Sequence, residues 1–356
     1  MRTADQQHAA APGSEGRGHA PAAARRWAAL PVILAGTFMT ILDFFIVNVA
    51  IPAMQRDLHA GSGAIEFVVA GYGLAYAAGL ITGGRLGDLY GRRRMFALGL
   101  ALFTLTSAGC GLAPNASVLV IARIGQGLAA ALLAPQVLSM LGIVYTGEDR
   151  ARAFTFYGLV LGLAAVGGQL LGGLLIQADF AGLSWRTCFL INVPIGAVAL
   201  VLTPRLVPES RAEGCSRLDL IGTALVTLGM VAIVLPLVEG RRQGWPLWAW
   251  LGLASALPLL LAFGLYQRRL SARGQTPLVD LTLFGERAFA VGIVAILVFY
   301  AGIASFFFVF TLYMQQGRGL DALNSGAIFT PIGLGFCATS MSTRWIANWF
   351  GRQSMA

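Results

Sequence analysis

The sequence predicts an all-α integral membrane protein of about ten spanning helices, with both termini on the cytoplasmic side. Three observations lead there. Hydrophobic residues make up 57% of the 356 and charged residues only 12%, against roughly 45–50% and 25% in soluble domains. The apolar residues gather in long runs, most of them close to the ~20 residues that cross a bilayer as a helix. All 25 basic residues are arginine, and they concentrate on alternate connections between the runs, as inside-positive orientation requires.

The runs can be taken in order. Residues 1–26 are rich in Ala, Gly and Arg without an apolar core, and read as a cytoplasmic tail with no stable fold and no cleavable signal. The expected spans are 27–51, 63–82, 95–113, 116–143, 153–177 and 186–204, followed by a polar, proline-bearing linker at 205–218. Spans 219–238 and 247–266 come next, then a second linker at 267–288 and spans 289–314 and 323–348 within a last segment, 289–356. Helices are expected because each satisfies its own backbone polar groups in lipid. The runs are too long and too uniformly apolar for barrel strands, which alternate.

With the N-terminus inside, 19 arginines fall in cytoplasmic segments or at the cytoplasmic end of the last span, 5 outside (Arg56, Arg186, Arg241, Arg242, Arg318), and Arg123 deep within a span. That bias accounts for the net charge of +9 without a nucleic-acid partner. Cys110, Cys188, Cys215 and Cys337 have no paired spacing, so neither a disulfide framework nor a metal site is indicated. The histidines, His8, His19 and His59, all lie outside the expected spans, and the chain has no lysine. An intramembrane His-activated nucleophile or a Ser–Lys pair is therefore excluded, and an enzyme is not expected.

The connection GGRLGDLYGRRRMF (Gly83–Phe96) reads as a tight cytoplasmic turn, made by Gly84, Gly87 and Gly91 and carrying Asp88 beside Arg85, Arg92, Arg93 and Arg94. Its spacing, G-x-L-x-D-x-x-G-R-R, resembles the loop between helices 2 and 3 of the major facilitator superfamily of secondary transporters. The resemblance implies a major-facilitator-type helical bundle in the plasma membrane. It also implies a gating role for Gly84, Asp88, Gly91, Arg92 and Arg93, with Asp88 latched to a later helix. A basic residue common after the aspartate is Leu89 here. The order of six spans, two spans and two spans resembles the drug:proton antiporter branch with about fourteen helices, with two intervening helices and only the first two of the second half. On that resemblance the chain is expected to be a fragment or truncated product that is not a competent transporter by itself, with the missing wall supplied by another chain if at all.

The first span holds ILDFFIVNVAIP (Ile41–Pro52), which resembles that branch's helix 1 signature. Asp43 lies about eight residues from the outer end, ~12 Å deep. A carboxylate at that depth is costly and marks a functional site or a buried packing pair. Asn48 and Pro52 read as packing and a helix end. In the fourth span, RIGQGLAAALLAP (Arg123–Pro135) resembles the R-x-x-Q-G motif and places Arg123 at comparable depth, with Gln126 one turn on. In the resembling fold both helices line one cavity, so Asp43, Arg123 and Gln126 are the expected proton-coupling set, a structural ion pair being the alternative.

The fifth span, GLVLGLAAVGGQLLGGLL (Gly158–Leu175), puts small residues at helical spacing for close packing. It also resembles the superfamily's helix 5 antiporter motif through Gly168, Gln169, Gly172 and Gly173, with Gln169 in place of a proline. Gln169 is expected to bond between helices or to cargo. WRTCFLINVPIG (Trp185–Gly196), FTLYMQQGRGLDALNSG (Phe310–Gly326) and ANWFGR (Ala347–Arg352) resemble further stretches of the branch, with Trp185 and Arg186 as an interfacial anchor. The expectation is proton-coupled efflux of hydrophobic drug-like compounds or secreted metabolites, driven by the proton gradient without a cofactor. An uptake symporter of a small metabolite is the alternative. The expected partners are the bilayer, protons and small-molecule cargo.

Overall fold

A computed structural model describes residues 19–211, 219–240, 243–275 and 277–350. Expectations placed on residues 1–18, on 212–218 with Cys215, on Arg241 and Arg242, and on Gly351 and Arg352 lie outside the described residues. Within them every long element is helical: α1 His19–Asp57, α2 Ser62–Tyr90, α3 Arg92–Gly111, α4 Ala116–Val144, α5 Gly147–Ala178, α6 Thr187–Leu190, α7 Asn192–Leu206, α8 Leu220–Glu239, α9 Leu247–Ala272, α10 Arg287–Leu312, α11 Ala322–Ala327 and α12 Thr330–Phe350. Nine helices among the described residues, with the α6–α7 segment taken as one, are long and apolar enough to span a membrane.

Several boundaries differ from expectation, and four of them shape the fold. Helix α1 begins at His19, inside the expected tail, because HAPAAARR is rich in good helix formers. Its first turns are also tied down: the Tyr145 hydroxyl donates to the Arg26 carbonyl at 2.7 Å, and Arg26 pairs with Asp149. At its other end α1 runs through Pro52 to Asp57, since neighbouring helices tolerate a proline in a spanning helix. Helix α2 continues through the supposed loop to Tyr90, leaving Gly91 as the whole connection to α3. Gly91 has φ +106°, a conformation open to glycine and strained for other residues. The tenth expected span is divided at Ile328–Phe329 into α11 and α12. Ser340, Ser342, Thr343, Arg344 and Asn348 dilute α12, which falls outside the nine.

Because α2 stays helical, Gly84 and Gly87 do not turn the chain. Gly84 lies against the Pro135 ring, and Gly87 against the Gln136 amide. Gly83 beside them makes the closest approach to backbone among the described glycines of the α2–α4 seam: a Cβ there would overlap the Ala131 carbonyl oxygen. Gln136 donates to the Gly83 carbonyl at 2.7 Å from across the seam. Lipid supplies no hydrophobic drive between helices, so close backbone approach and such hydrogen bonds carry the packing.

Helix α1 runs along α5 and α7, α4 fills the space between α2 and α3, the α8–α9 hairpin leans on α2, and α11 and α12 pack on α5. The core is two apolar clusters. A cytoplasmic one includes Ile33, Phe96, Leu133 and Tyr145, and an outer one includes Ile46, Met54, Leu119 and Trp185. A third, smaller cluster joins α1 to the second part of the chain, with Phe307 stacked on Phe329 at 5.0 Å between ring centres.

The α2–α4 seam yields a stability test. Gly83→Ala is expected to cost about 1–3 kcal/mol by overpacking and to lower the melting temperature of the purified protein. Gly73→Ala on the same helix, where an added Cβ meets nothing within 4 Å, should leave it unchanged.

Candidate functional site

Between the two main apolar clusters lies a polar layer built from five helices. Asp43 of α1 and Arg123 of α4 are in direct contact there, with 0% and 1% of their side chains exposed. Arg123 Nη1 donates to Asp43 Oδ2 and to Gln126 Oε1, the latter at 2.7 Å, while its Nε donates to the Val68 carbonyl of α2 at 2.9 Å. Gln126 Nε2 donates to Asp43 Oδ1 at 2.8 Å and to Ser107 Oγ of α3 at 2.6 Å. Asn192, the first residue of α7, donates to Asp43 Oδ1 at 3.2 Å and Ser107 Oγ at 3.4 Å. Cys110 donates weakly to Gln126 Oε1 at 3.5 Å. The guanidinium lies over the Tyr72 ring, 4.2 Å from its centre.

The three expected members therefore meet, and four partners were missed: Tyr72, Ser107, Cys110 and Asn192. Single polar residues in apolar runs are common, and only the fold brings these to one depth. Asn192 sits in the LINVP stretch whose wording was legible but whose direction was not. Trp185 and Arg186 before it are more than an interfacial anchor. Trp185 is buried, and both donate to Asp57 Oδ2 at 3.0 Å, fixing the outer end of α1 to the start of α6.

At the cytoplasmic end, Arg92 donates to Asp88 Oδ1 at 2.6 Å, one turn back on α2. Three arginines opening α3 oppose the helix dipole, which favours negative charge at an N-terminus. Glu209, from the segment after α7, supplies that charge. Its Oε1 accepts from the Arg93 backbone N–H at 3.0 Å, and its carboxylate pairs with the Arg93 and Arg94 side chains at 3.7 and 3.8 Å. The Arg92 N–H donates to the Ser210 carbonyl at 2.9 Å. The linker is thus bound to the loop at this point, which its polar composition did not indicate.

On α5, Gly168 and Gly172 face α1: a Cβ on Gly168 would lie 3.0 Å from the Leu42 carbonyl oxygen, and one on Gly172 2.9 Å from Ile46. Gln169 donates to the Phe45 carbonyl at 3.4 Å, so it bonds between helices. Gly173 is buried as well. A cavity of about 840 Å³ opens at the outer end between α1, α5 and the π-helical turn Tyr313–Gly317, lined by Gln55, Gln177, Gln315 and Gln316. Its deepest α1 residue, Val49, is two turns outward of Asp43.

The profile of the Major Facilitator Superfamily matches residues 33–356. The chain belongs to that superfamily. It is 39% identical over 321 residues to the "Probable actinorhodin transporter" of Streptomyces coelicolor, covering 90% of this chain and 56% of that protein. It is 38% identical to the "Puromycin resistance protein pur8" of Streptomyces alboniger, covering 89% and 61%. It is also 38% identical to the "Cephamycin export protein CmcT" of Amycolatopsis lactamdurans, covering 85% and 62%. The chain thus spans about three-fifths of the length of these curated relatives. Among solved structures, the proton:xylose symporter XylE aligns with 93% of this chain and 70% of its own at a TM-score of 0.59 and 14% identity, a likeness of fold alone. Membership places this multi-pass superfamily protein in the plasma membrane.

The Glu209 tie predicts a local change. Removing a charge-assisted acceptor costs roughly 1.5–3 kcal/mol, so Glu209→Ala should speed amide exchange at Arg92 and Arg93 by about tenfold or more. Amides in the middle of α3 are the internal standard.

Proposed function

We propose that this protein works in proton-coupled efflux of hydrophobic drug-like compounds or secreted metabolites, with Asp43 as the proton-coupling carboxylate and Arg123 as its counter-ion. The observation that carries this reading is the fully buried Asp43–Arg123 contact. Taking two charges out of water costs several kcal/mol per ion, and removing one partner's charge leaves the other uncompensated. Binding a proton at Asp43 would therefore turn a neutral pair into a lone buried cation and bias α1 and α4 toward a second arrangement. Cargo that favours one arrangement would then be coupled to the proton. The export and resistance names of the curated relatives support outward transport.

On the same reading the cytoplasmic cluster of Gly84, Asp88, Gly91, Arg92 and Arg93 is the gate, with Glu209 as its anchor. A shift of ~1.4 kcal/mol between the two arrangements changes their ratio tenfold. Asp88→Ala, which frees Arg92, would lower turnover without preventing insertion. The expected driving force is the proton gradient.

In proteoliposomes with an imposed pH gradient, the protein should move a fluorescent hydrophobic cargo against the proton flux, whereas no flux from the chain alone would favour the transport-incompetent reading. Asp43→Asn should insert normally and lose gradient-driven flux at least tenfold, while cargo exchange without a gradient persists. Undiminished gradient-driven flux in that variant would overturn the assignment, and cargo moving with the proton would favour the symporter.

A further inference from the structure

The polar layer contains one acceptor with nothing to accept. Asn192 is fully buried, its Nδ2 donates to Asp43 Oδ1 and Ser107 Oγ, and its Oδ1 has no hydrogen-bond partner. A buried amide oxygen left unpaired costs roughly 1–3 kcal/mol, so its retention beside the one intramembrane carboxylate of α1 calls for an explanation.

The ionised carboxylate needs only donors, and it has three: Arg123, Gln126 and Asn192. A protonated carboxyl carries a donor of its own and needs an acceptor. Most of the layer's acceptors are engaged. Gln126 Oε1 accepts from Arg123 and Cys110, Ser107 Oγ accepts from Gln126 and Asn192, and the Val68 carbonyl accepts from Arg123. The Tyr72 hydroxyl is turned to the Thr40 carbonyl at 3.2 Å. The ionisable groups around Asp43 are Arg123 from α4, Tyr72 from α2, Cys110 from α3 and Cys188 from α6, the last donating to the Gly172 carbonyl.

We propose that Asn192 is the positioning residue that receives the proton of the neutral Asp43 carboxyl, by a half-turn of its amide that exchanges Nδ2 and Oδ1. This inference rests on proton coupling at Asp43. A hydronium ion from the aqueous phase gives its proton to Asp43 Oδ1; one O–H bond forms and water leaves. The amide turn puts Asn192 Oδ1 where Nδ2 stood, 3.2 Å from the new hydroxyl and 3.4 Å from Ser107 Oγ, whose own hydroxyl can rotate to donate to it. The two bonds exchanged are long ones, at 3.2 and 3.4 Å, so the turn gives up little. Arg123 keeps its place on Asp43 Oδ2 through this step. The pair has then lost its charge attraction while the acid proton has gained an acceptor, with Asn192 Nδ2 now standing where its unpaired Oδ1 stood. Arg123 can then separate from a neutral acid instead of from a carboxylate. An amide can do this because it carries a donor and an acceptor on one pivot.

Infrared difference spectra of the purified protein in lipid nanodiscs, acid minus alkaline, test it. The carbonyl band of protonated Asp43 is the band that Asp43→Asn removes. Asn192→Val should shift that band to higher wavenumber, because the acid loses its acceptor. Asn192→Thr, the same shape with a hydroxyl, should hold it near the wild-type position. With 13C at the asparagine side-chain carbonyls, a labelled band absent from Asn192→Thr should move to lower wavenumber on acidification in the wild type, which needs no destabilised variant. An unmoved Asp43 band in Asn192→Val, or a labelled Asn192 band that ignores pH, would overturn the proposal. If Asp43→Asn removes no band at any pH, the failure lies with proton coupling at Asp43 itself, a distinct result.

Discussion

One arginine and one carboxylate, held together away from the protein surface, set the terms for the first seven helices. Arg123 and Asp43 are each nearly without exposure, and such a pair is tolerable only when its remaining hydrogen-bonding atoms are satisfied. Meeting that condition takes the Val68 carbonyl of α2, Ser107 of α3, Gln126 of α4 and Asn192 of α7. Five helices are thereby fixed in register at one depth. The apolar clusters on either side need no such precision, since dispersion and lipid contact are non-directional.

Close helix packing makes that register reachable. The α2–α4 and α1–α5 seams bring backbone against backbone at Gly83 and Gly168, which draws α1, α2, α4 and α5 in around the polar layer. Larger residues at these points would widen the seams and lengthen hydrogen bonds that must stay near 3 Å. The packing is looser elsewhere. The α8–α9 hairpin and α10 leave residues such as Leu261 and Leu297 with more than half of their surface exposed, as suits helices facing lipid.

The two ends of the bundle use charge differently from its middle. At the cytoplasmic end Glu209 and Asp88 meet Arg92, Arg93 and Arg94 in partly exposed pairs, where screening keeps each contribution small. Such contacts can break and reform with modest changes in free energy. The central pair cannot separate without a compensating event, and proton binding is the event proposed here.

The amino-acid sequence by itself determined the membrane class, the helical runs and the family, because each follows from composition, run length and motif spacing along the chain. It also pointed to Asp43, Arg123 and Gln126, since charge within an apolar span is conspicuous wherever the helix packs. It misjudged Gly84 and Gly87, because a glycine that opens a turn and one that admits a neighbouring helix look alike in one dimension. Tertiary structure alone decided that the two charges touch and that Ser107 and Asn192 complete their shell. It alone placed Glu209 at the start of α3. Those choices depend on which residues from distant helices reach the same depth and face. That is set by crossing geometry over separations of 80 and 149 residues, and no local pattern encodes it.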